Sequence, residues 1–321
     1  MSSLRLTEAG LWCDAGGFFV DPDRRADLAV VTHAHGDHVH PLHREIVCST
    51  ATALLAQQRT SKSTRFVALP WATPHRLGAV TLTLHPSGHM LGSAMVRIVT
   101  ATETVLVTGD LKRGADPTSQ ACEVPTCDTL VCEATFADPR FVWPDPGQIA
   151  TQIAAWVREC ARKRRAAVLL CYALGKSQRV LALTAGLLDQ PPFAHRSIRN
   201  WNRHYGELGV ALPETEPIPS SGSPKVFRGR LCLVPPQALS RSLRAKFGAA
   251  EVAFASGWAQ DAGRLAGVGA ERGFCLSDHA DWNELRATIV ESGARKVRFV
   301  HGNAAALVDE LTQRGIDAAT L

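Results

Sequence analysis

Short apolar runs rich in Val, Leu and Thr fill the first 135 residues, and Gly, Pro or Asp separates most of them. This pattern predicts β-strands over residues 17–20, 28–32, 45–48, 65–68, 80–85, 94–99, 104–108 and 129–133. One helix is expected between them, over 50–59, with Ser49 as its cap.

The period changes near Pro144. Ile149, Ile153, Trp156, Val157 and Cys160 fall at helical spacing, which predicts a helix over 147–165. A strand (167–172), a turn (173–176) and a helix (178–188) follow. Residues 213–229, rich in Pro, Ser and Gly, read as a surface loop. Strands return at 231–234 and 252–255, and the last fifty residues read strand (273–276), helix (281–292), strand (296–300), helix (304–314). The tail is too short to fold alone. The economical arrangement is one domain from front and tail, with the middle inserted: 1–143, 144–271 and 272–321.

Composition narrows the class. With 321 residues, 45% of them hydrophobic and 20% charged, the chain has the profile of a globular protein and not of a disordered one. No apolar run approaches the roughly 20 residues needed to span a bilayer, and MSSLRLTEAG lacks the layout of a signal peptide, so no membrane partner is expected. Nine scattered cysteines, an odd number with no CxxC pair, read as small buried hydrophobes of a reducing cytoplasm. The formal charge of +5 permits an anionic partner without requiring one.

The chemistry concentrates in THAHGDHV, where His33, His35, Asp37 and His38 follow directly on a strand. Imidazole and carboxylate are ligands for Zn²⁺, Mn²⁺ and similar ions. Four such groups in one turn exceed what one ion accepts with good angles. Two ions resolve this: His33 and His35 on one, Asp37 and His38 on the other. A solvated polar turn is the bland alternative.

HAHGDH resembles the metal-binding signature of the metallo-β-lactamase superfamily. Further residues match the superfamily's order: His89 in Ser87-Gly88-His89, Asp110 after Val105–Thr108 and Gly109, and Asp21 after Phe18-Phe19-Val20. Glu133 in VCEATF, His279 in LSDHAD, His301 in FVHG and the segment CYALGKSQRVL resemble the β-CASP nucleases of that superfamily. LTEAGLWCDAGGFFVDP and VAFASGWA are most similar to the bacterial exonuclease group associated with ATP-dependent DNA ligases.

The resemblance implies an α/β fold: an αββα metallo-β-lactamase sandwich carrying an inserted α/β β-CASP domain that handles nucleic acid. It implies two divalent cations, Zn²⁺ foremost and Mn²⁺ as the alternative. His33, His35 and His89 would hold one, and Asp37, His38 and His301 the other. Asp110 would bridge them, with Asp21 bracing from behind. His279 is the implied general acid, oriented by Glu133, while Asp37 belongs to the catalytic set as well as to the ligands.

The implied activity is a DNA exonuclease in repair, with a ligase and a helicase as partners. His301 pulls the other way, toward the RNA-processing members, so a ribonuclease is the alternative. A small-molecule hydrolase of the same fold and a non-catalytic adaptor are further readings; the filled set of motif positions argues against both. Gly175-Lys176-Ser177 is not a P-loop, because Leu170 stands where GxxxxGK[ST] needs glycine. Lys176, Ser177 and Gln178 instead become candidates for a substrate phosphate at a helix N-terminus. The arginines of HRSIRNWNRHY suggest either a stacking-and-phosphate surface or a helix packed through Ile198, Trp201 and Tyr205.

Overall fold

The apolar runs of the first 135 residues do form strands, and they assemble into two sheets. The computed structural model describes residues 4–321, with mixed α/β structure. The chain divides into two compact units: one of the chain up to Val142 together with His279–Leu321, the other of Trp143–Asp278.

In the first unit, six strands stand side by side in chain order: Leu4–Thr7, Gly10–Cys13, Phe18–Val20, Leu28–Val30, Glu45–Ser49 and Arg65–Leu69. The first three pair antiparallel; from Phe18–Val20 onward the pairing is parallel. The second sheet has seven strands, in the order Asp317–Thr320, Lys296–Gly302, Thr129–Ala134, Thr104–Val107, Ala94–Val99, Val80–Pro86, His75–Leu77. The strand Val80–Pro86 shows why it forms: its burial alternates strictly, with Val80, Leu82 and Leu84 inside.

Leu11, Phe18, Val30 and Val47 of the first sheet share one core with Leu82, Val96, Val105 and Val131 of the second. The opposite face of the second sheet offers Leu106, Leu130 and Phe299 to Leu285, Ile289, Leu307 and Leu311 of the helices Trp282–Ser292 and Ala305–Gln313. With both faces covered, the strand Thr129–Ala134 is buried at every position.

The second unit holds a six-stranded sheet whose pairings are all parallel. Its strand Ala166–Leu170 is apolar and buried throughout, with separate clusters on its two faces. The expected first helix spans Pro146–Arg162, capped by Asp145, and buries the five residues named by its spacing.

Several boundaries differ from expectation for physical reasons. Ser49 does cap the first helix, accepting from Thr52 N at 3.1 Å, but that helix stops at Ala56. The helix expected from 178 begins at Lys176 and ends at Leu183. Arg272–Phe274, grouped above with the tail, pairs in parallel with Ala250–Ala255, so the second unit runs on to Asp278. The strands Leu4–Thr7, Gly10–Cys13 and His75–Leu77 were not anticipated: they are short, and each bears exposed or half-exposed positions. The basic-aromatic segment is a helix, Arg196–Glu207, that buries Ile198 and Tyr205. Among the described residues, no helix is long and apolar enough to cross a membrane. Seven of the nine cysteines are buried.

His43 makes the first unit sensitive to acid. Its Nδ1 accepts from Ala26 N at 3.1 Å. Burial, reinforced by the neighbouring His40, holds its pKa down at about 4. The unfolded chain, with a histidine near 6.5, therefore takes up this proton first, and stability is lost as pH falls from about 6.5 toward the folded value. Denaturant titrations should give a lower unfolding free energy at pH 5 than at pH 7. His43→Gln should narrow that difference; an unchanged difference would remove His43 as its source.

Candidate functional site

Strand direction assembles this site, which lies within the first unit. Thr104–Val107, Thr129–Ala134 and Lys296–Gly302 run parallel, so their C-terminal ends share one edge. Asp110 follows the first of these, while Glu133 and His301 lie near the ends of the other two. The register shifts between Glu133 and Ala134, and His301, opposite that irregularity, adopts a left-handed φ of 57°. In the other sheet, Phe18–Val20 and Leu28–Val30 are also parallel, which brings Asp21 beside the start of the histidine turn.

Four donors converge first. His33 Nε2 and His89 Nε2 each lie 3.1 Å from His35 Nδ1. Both also lie 3.5 Å from Asp110 Oδ2. Tetrahedral ligands about 2.0–2.1 Å from one ion sit roughly 3.3 Å apart, so the observed spacing fits a cation held by three imidazoles and a carboxylate. His33, His89 and Asp110 are buried, as a structural cage requires.

The rest of the turn faces the same carboxylate from another side. His38 Nε2 lies 3.7 Å from Asp110 Oδ2 and 4.0 Å from Asp37 Oδ2. The ring centroids of His38 and His301 are 6.0 Å apart. This second group is looser, and Asp37 is largely exposed. Asp110 Oδ2 lies between the two groups, where a shared ligand would lie.

Asp21 braces the turn. Its Oδ1 accepts from Thr32 N at 2.7 Å, and its Oδ2 accepts from Thr32 Oγ1 at 2.5 Å. The same Oδ2 lies 2.8 Å from His38 Nδ1, which leaves His38 Nε2 to face Asp110. Thr32 Oγ1 also contacts His33 Nδ1 at 3.1 Å. Thr32 carries no ligand signal of its own; its place immediately before His33 is the one clue the sequence held.

The electrostatics follow from burial among like and unlike charges. Burial, with His38, His89 and His35 around it, pushes His33 well below the usual histidine range, so it stays neutral. Burial also opposes charge on His38, but Asp110 and Asp21 outweigh it and hold the imidazolium up to about 10. For Asp110, burial opposes ionisation, yet the surrounding histidines, His279 first among them, depress its pKa strongly.

A separate pair stands beside the cage. His279 Nδ1 lies 2.9 Å from Glu133 Oε2, and Glu133 Oε1 accepts from Leu111 N at 2.6 Å. Glu133 is buried while His279 keeps partial exposure. His279 Nδ1 is also 3.9 Å from Asp110 Oδ2, and Asp110, Glu133 and His279 make a second group able to approach one cation.

Lys176, Ser177 and Gln178 are buried and engaged inside the second unit, in contrast to the phosphate-facing role expected of them. Lys176 Nζ donates to Leu276 O at 2.7 Å and pairs with Asp278 Oδ1 at 2.8 Å. Ser177 Oγ donates to Tyr172 O at 2.6 Å. Gln178 Nε2 donates to Asn202 Oδ1 at 2.8 Å and to Ala173 O at 3.1 Å. The partners are distant or are backbone atoms, which spacing alone does not reveal.

Two glycines let the ligand loops close. At Gly88, φ is 78° and a Cβ would lie 2.1 Å from Lys112 O. At Gly109, φ is 53° and a Cβ would lie 2.7 Å from the Thr32 side chain. Gly109→Ala should displace Asp110 and weaken metal binding by about 10–100-fold, the scale seen when a ligand's support is lost. Equilibrium titration with a divalent cation, alongside far-ultraviolet circular dichroism to confirm folding, checks this. Unchanged affinity would contradict it.

No family model matches the chain. It is 31% identical to a probable DNA ligase of Opitutus terrae over 318 residues, which cover 98% of this chain and 30% of that protein. It is 21% identical to an RNase J-like protein of Methanocaldococcus jannaschii over 201 residues, 56% of this chain and 48% of that one. Over 150 residues it is 27% identical to the endoribonuclease YSH1 of Gibberella zeae, 43% of this chain and 16% of that protein. The chain thus spans less than half the length of each of these curated relatives. A crystal structure of a protein of unknown function from Enterococcus faecalis matches 92% of this chain and 78% of its own, with a TM-score of 0.56 and 12% identity, a likeness of fold alone. Two of these relatives are named as RNases, and this chain carries histidine–aspartate clusters that could hold a metal ion.

Proposed function

We propose that this chain is a two-metal phosphodiesterase that acts as a DNA exonuclease in repair, working alongside an ATP-dependent DNA ligase. The carrying observation is the convergence of His33, His35, His89 and Asp110 beside the His279–Glu133 pair. We read Zn²⁺ as the ion, with Mn²⁺ as the alternative. His33, His35 and His89 would hold one ion, and Asp37, His38 and His301 the other, with Asp110 between them. The shared core of the two sheets supports an αββα sandwich for the first unit. The all-parallel sheet supports the inserted β-CASP-like role for the second. The burial of seven cysteines as small apolar side chains supports a reducing, cytoplasmic setting.

A pair of divalent cations, when bound, supplies charge neutralisation on the phosphate and an activated water. The chain's own residues do the rest. Glu133 holds His279 through Nδ1, which leaves Nε2 to face the departing alkoxide and deliver a proton to it. Asp21 keeps His38 and Thr32 in place. Leu111 N, donating to Glu133, stops that carboxylate from rotating away.

DNA is favoured because the similarity to the protein named a DNA ligase extends over 98% of this chain. The ribonuclease reading draws on His301 and on the relatives named for RNA. Labelled single-stranded DNA, duplex DNA and RNA should be digested side by side, with chelator and metal add-back. The expected result is shortening of DNA from one end, abolished by chelator and restored by Zn²⁺ or Mn²⁺. Preferential cleavage of RNA would establish the alternative, and metal-independent or absent cleavage would sink both. His279→Ala should lower turnover by roughly 10²–10⁴-fold with metal content intact, measured by steady-state kinetics and elemental analysis.

A further inference from the structure

The residues just ahead of His279 have no regular secondary structure: 275–280 lie beyond the strand Arg272–Phe274 and before the helix Trp282–Ser292. Such a segment owes its conformation to individual bonds. Leu276 N donates to Phe274 O at 2.8 Å and Ala280 N donates to Leu111 O at 2.6 Å. Between these two bonds the segment is tied by ions.

Lys176, Arg179 and Asp278 are 3%, 2% and 6% exposed, a depth that charged side chains reach only when paired. Lys176 Nζ donates to Leu276 O at 2.7 Å. Arg179 Nη1 donates to the next carbonyl, Ser277 O. Both cations also reach one atom, Asp278 Oδ1, at 2.8 and 3.3 Å. Two successive carbonyls and the following carboxylate are therefore gripped from a single helix, Lys176–Leu183.

We infer that Lys176, Arg179 and Asp278 form a buried ionic clamp that fixes residues 276–278 and so sets the placement of His279, the next residue in the chain. Apolar side chains of the same volume would hold a core here at least as well, because buried ions lose their hydration. Ions add directionality: they fix where two carbonyls point. A proton donor needs that, since a small misplacement at the leaving oxygen lowers the rate steeply. These three are positioning residues. The inference rests on the reading of His279 as the general acid.

Two substrates separate positioning from general damage. An oligonucleotide releases an alkoxide that needs a proton; bis(4-nitrophenyl) phosphate releases a phenolate that does not. The measured quantity is the ratio of kcat on the oligonucleotide to kcat on the ester. Lys176→Met and Asp278→Asn should each lower that ratio by about 10–100-fold, within the range general-acid catalysis supplies, with oligonucleotide KM and metal content unchanged. Should the single variants fail to fold, the triple variant Lys176→Met, Arg179→Met, Asp278→Leu, which leaves none of the three charges buried, carries the same expectation. His279→Ala serves as the reference. If His279→Ala lowers the ratio and the clamp variants lose both substrates equally, or neither, the clamp is overturned while the acid role stands. If His279→Ala leaves the ratio unchanged, the acid role falls and the clamp falls with it.

Discussion

One carboxylate oxygen organises this molecule. Asp110 Oδ2 lies within 3.5 Å of two histidine nitrogens and within 3.7 and 3.9 Å of two more. No local sequence could produce that. It requires parallel strands ending at one edge, a glycine before Asp110 that admits a left-handed turn, and a second sheet whose own parallel strands present the histidine turn. The shared apolar core between the sheets holds the two edges in register. Packing is in this sense the first step of the chemistry.

The same crowding gives the site its charge pattern. Burial penalises every ion here, yet Asp110 stays ionised because cationic and potentially cationic rings surround it, and His38 stays protonated because two carboxylates face it. His33, deepest and nearest to other imidazoles, is neutral. A divalent cation would replace the proton of His38 as the partner of Asp110. The pocket is therefore poised between a proton and a metal, and metal affinity should fall in acid as the imidazoles compete for protons.

The sequence made the local part of this legible. His33, His35, Asp37 and His38 are four groups in six positions, and contiguity is what a linear reading detects. His89, Asp110, Glu133, His279 and His301 were named from their order along the chain, and all of them lie in the first unit. The central strands were also readable, because a residue buried on both faces must be apolar, as in Thr129–Ala134 and Ala166–Leu170. The edge strands Leu4–Thr7 and His75–Leu77 were not, since half their positions or more face partly outward. The sheet that Arg272–Phe274 joins depends on pairing with a partner some twenty residues away, which no local pattern specifies. Lys176 shows the same limit: a lysine at a helix start suggests phosphate, and spacing does not reveal the carboxylate it pairs with about one hundred residues on.

The cage is the claim on which all else depends, and metal stoichiometry tests it most directly. Elemental analysis of the purified, chelator-free protein, paired with native mass spectrometry, is expected to find two divalent cations per chain, falling sharply in Asp110→Asn. A chain that carries no transition metal after purification and reconstitution, or an Asp110→Asn protein that keeps its full complement, would contradict it.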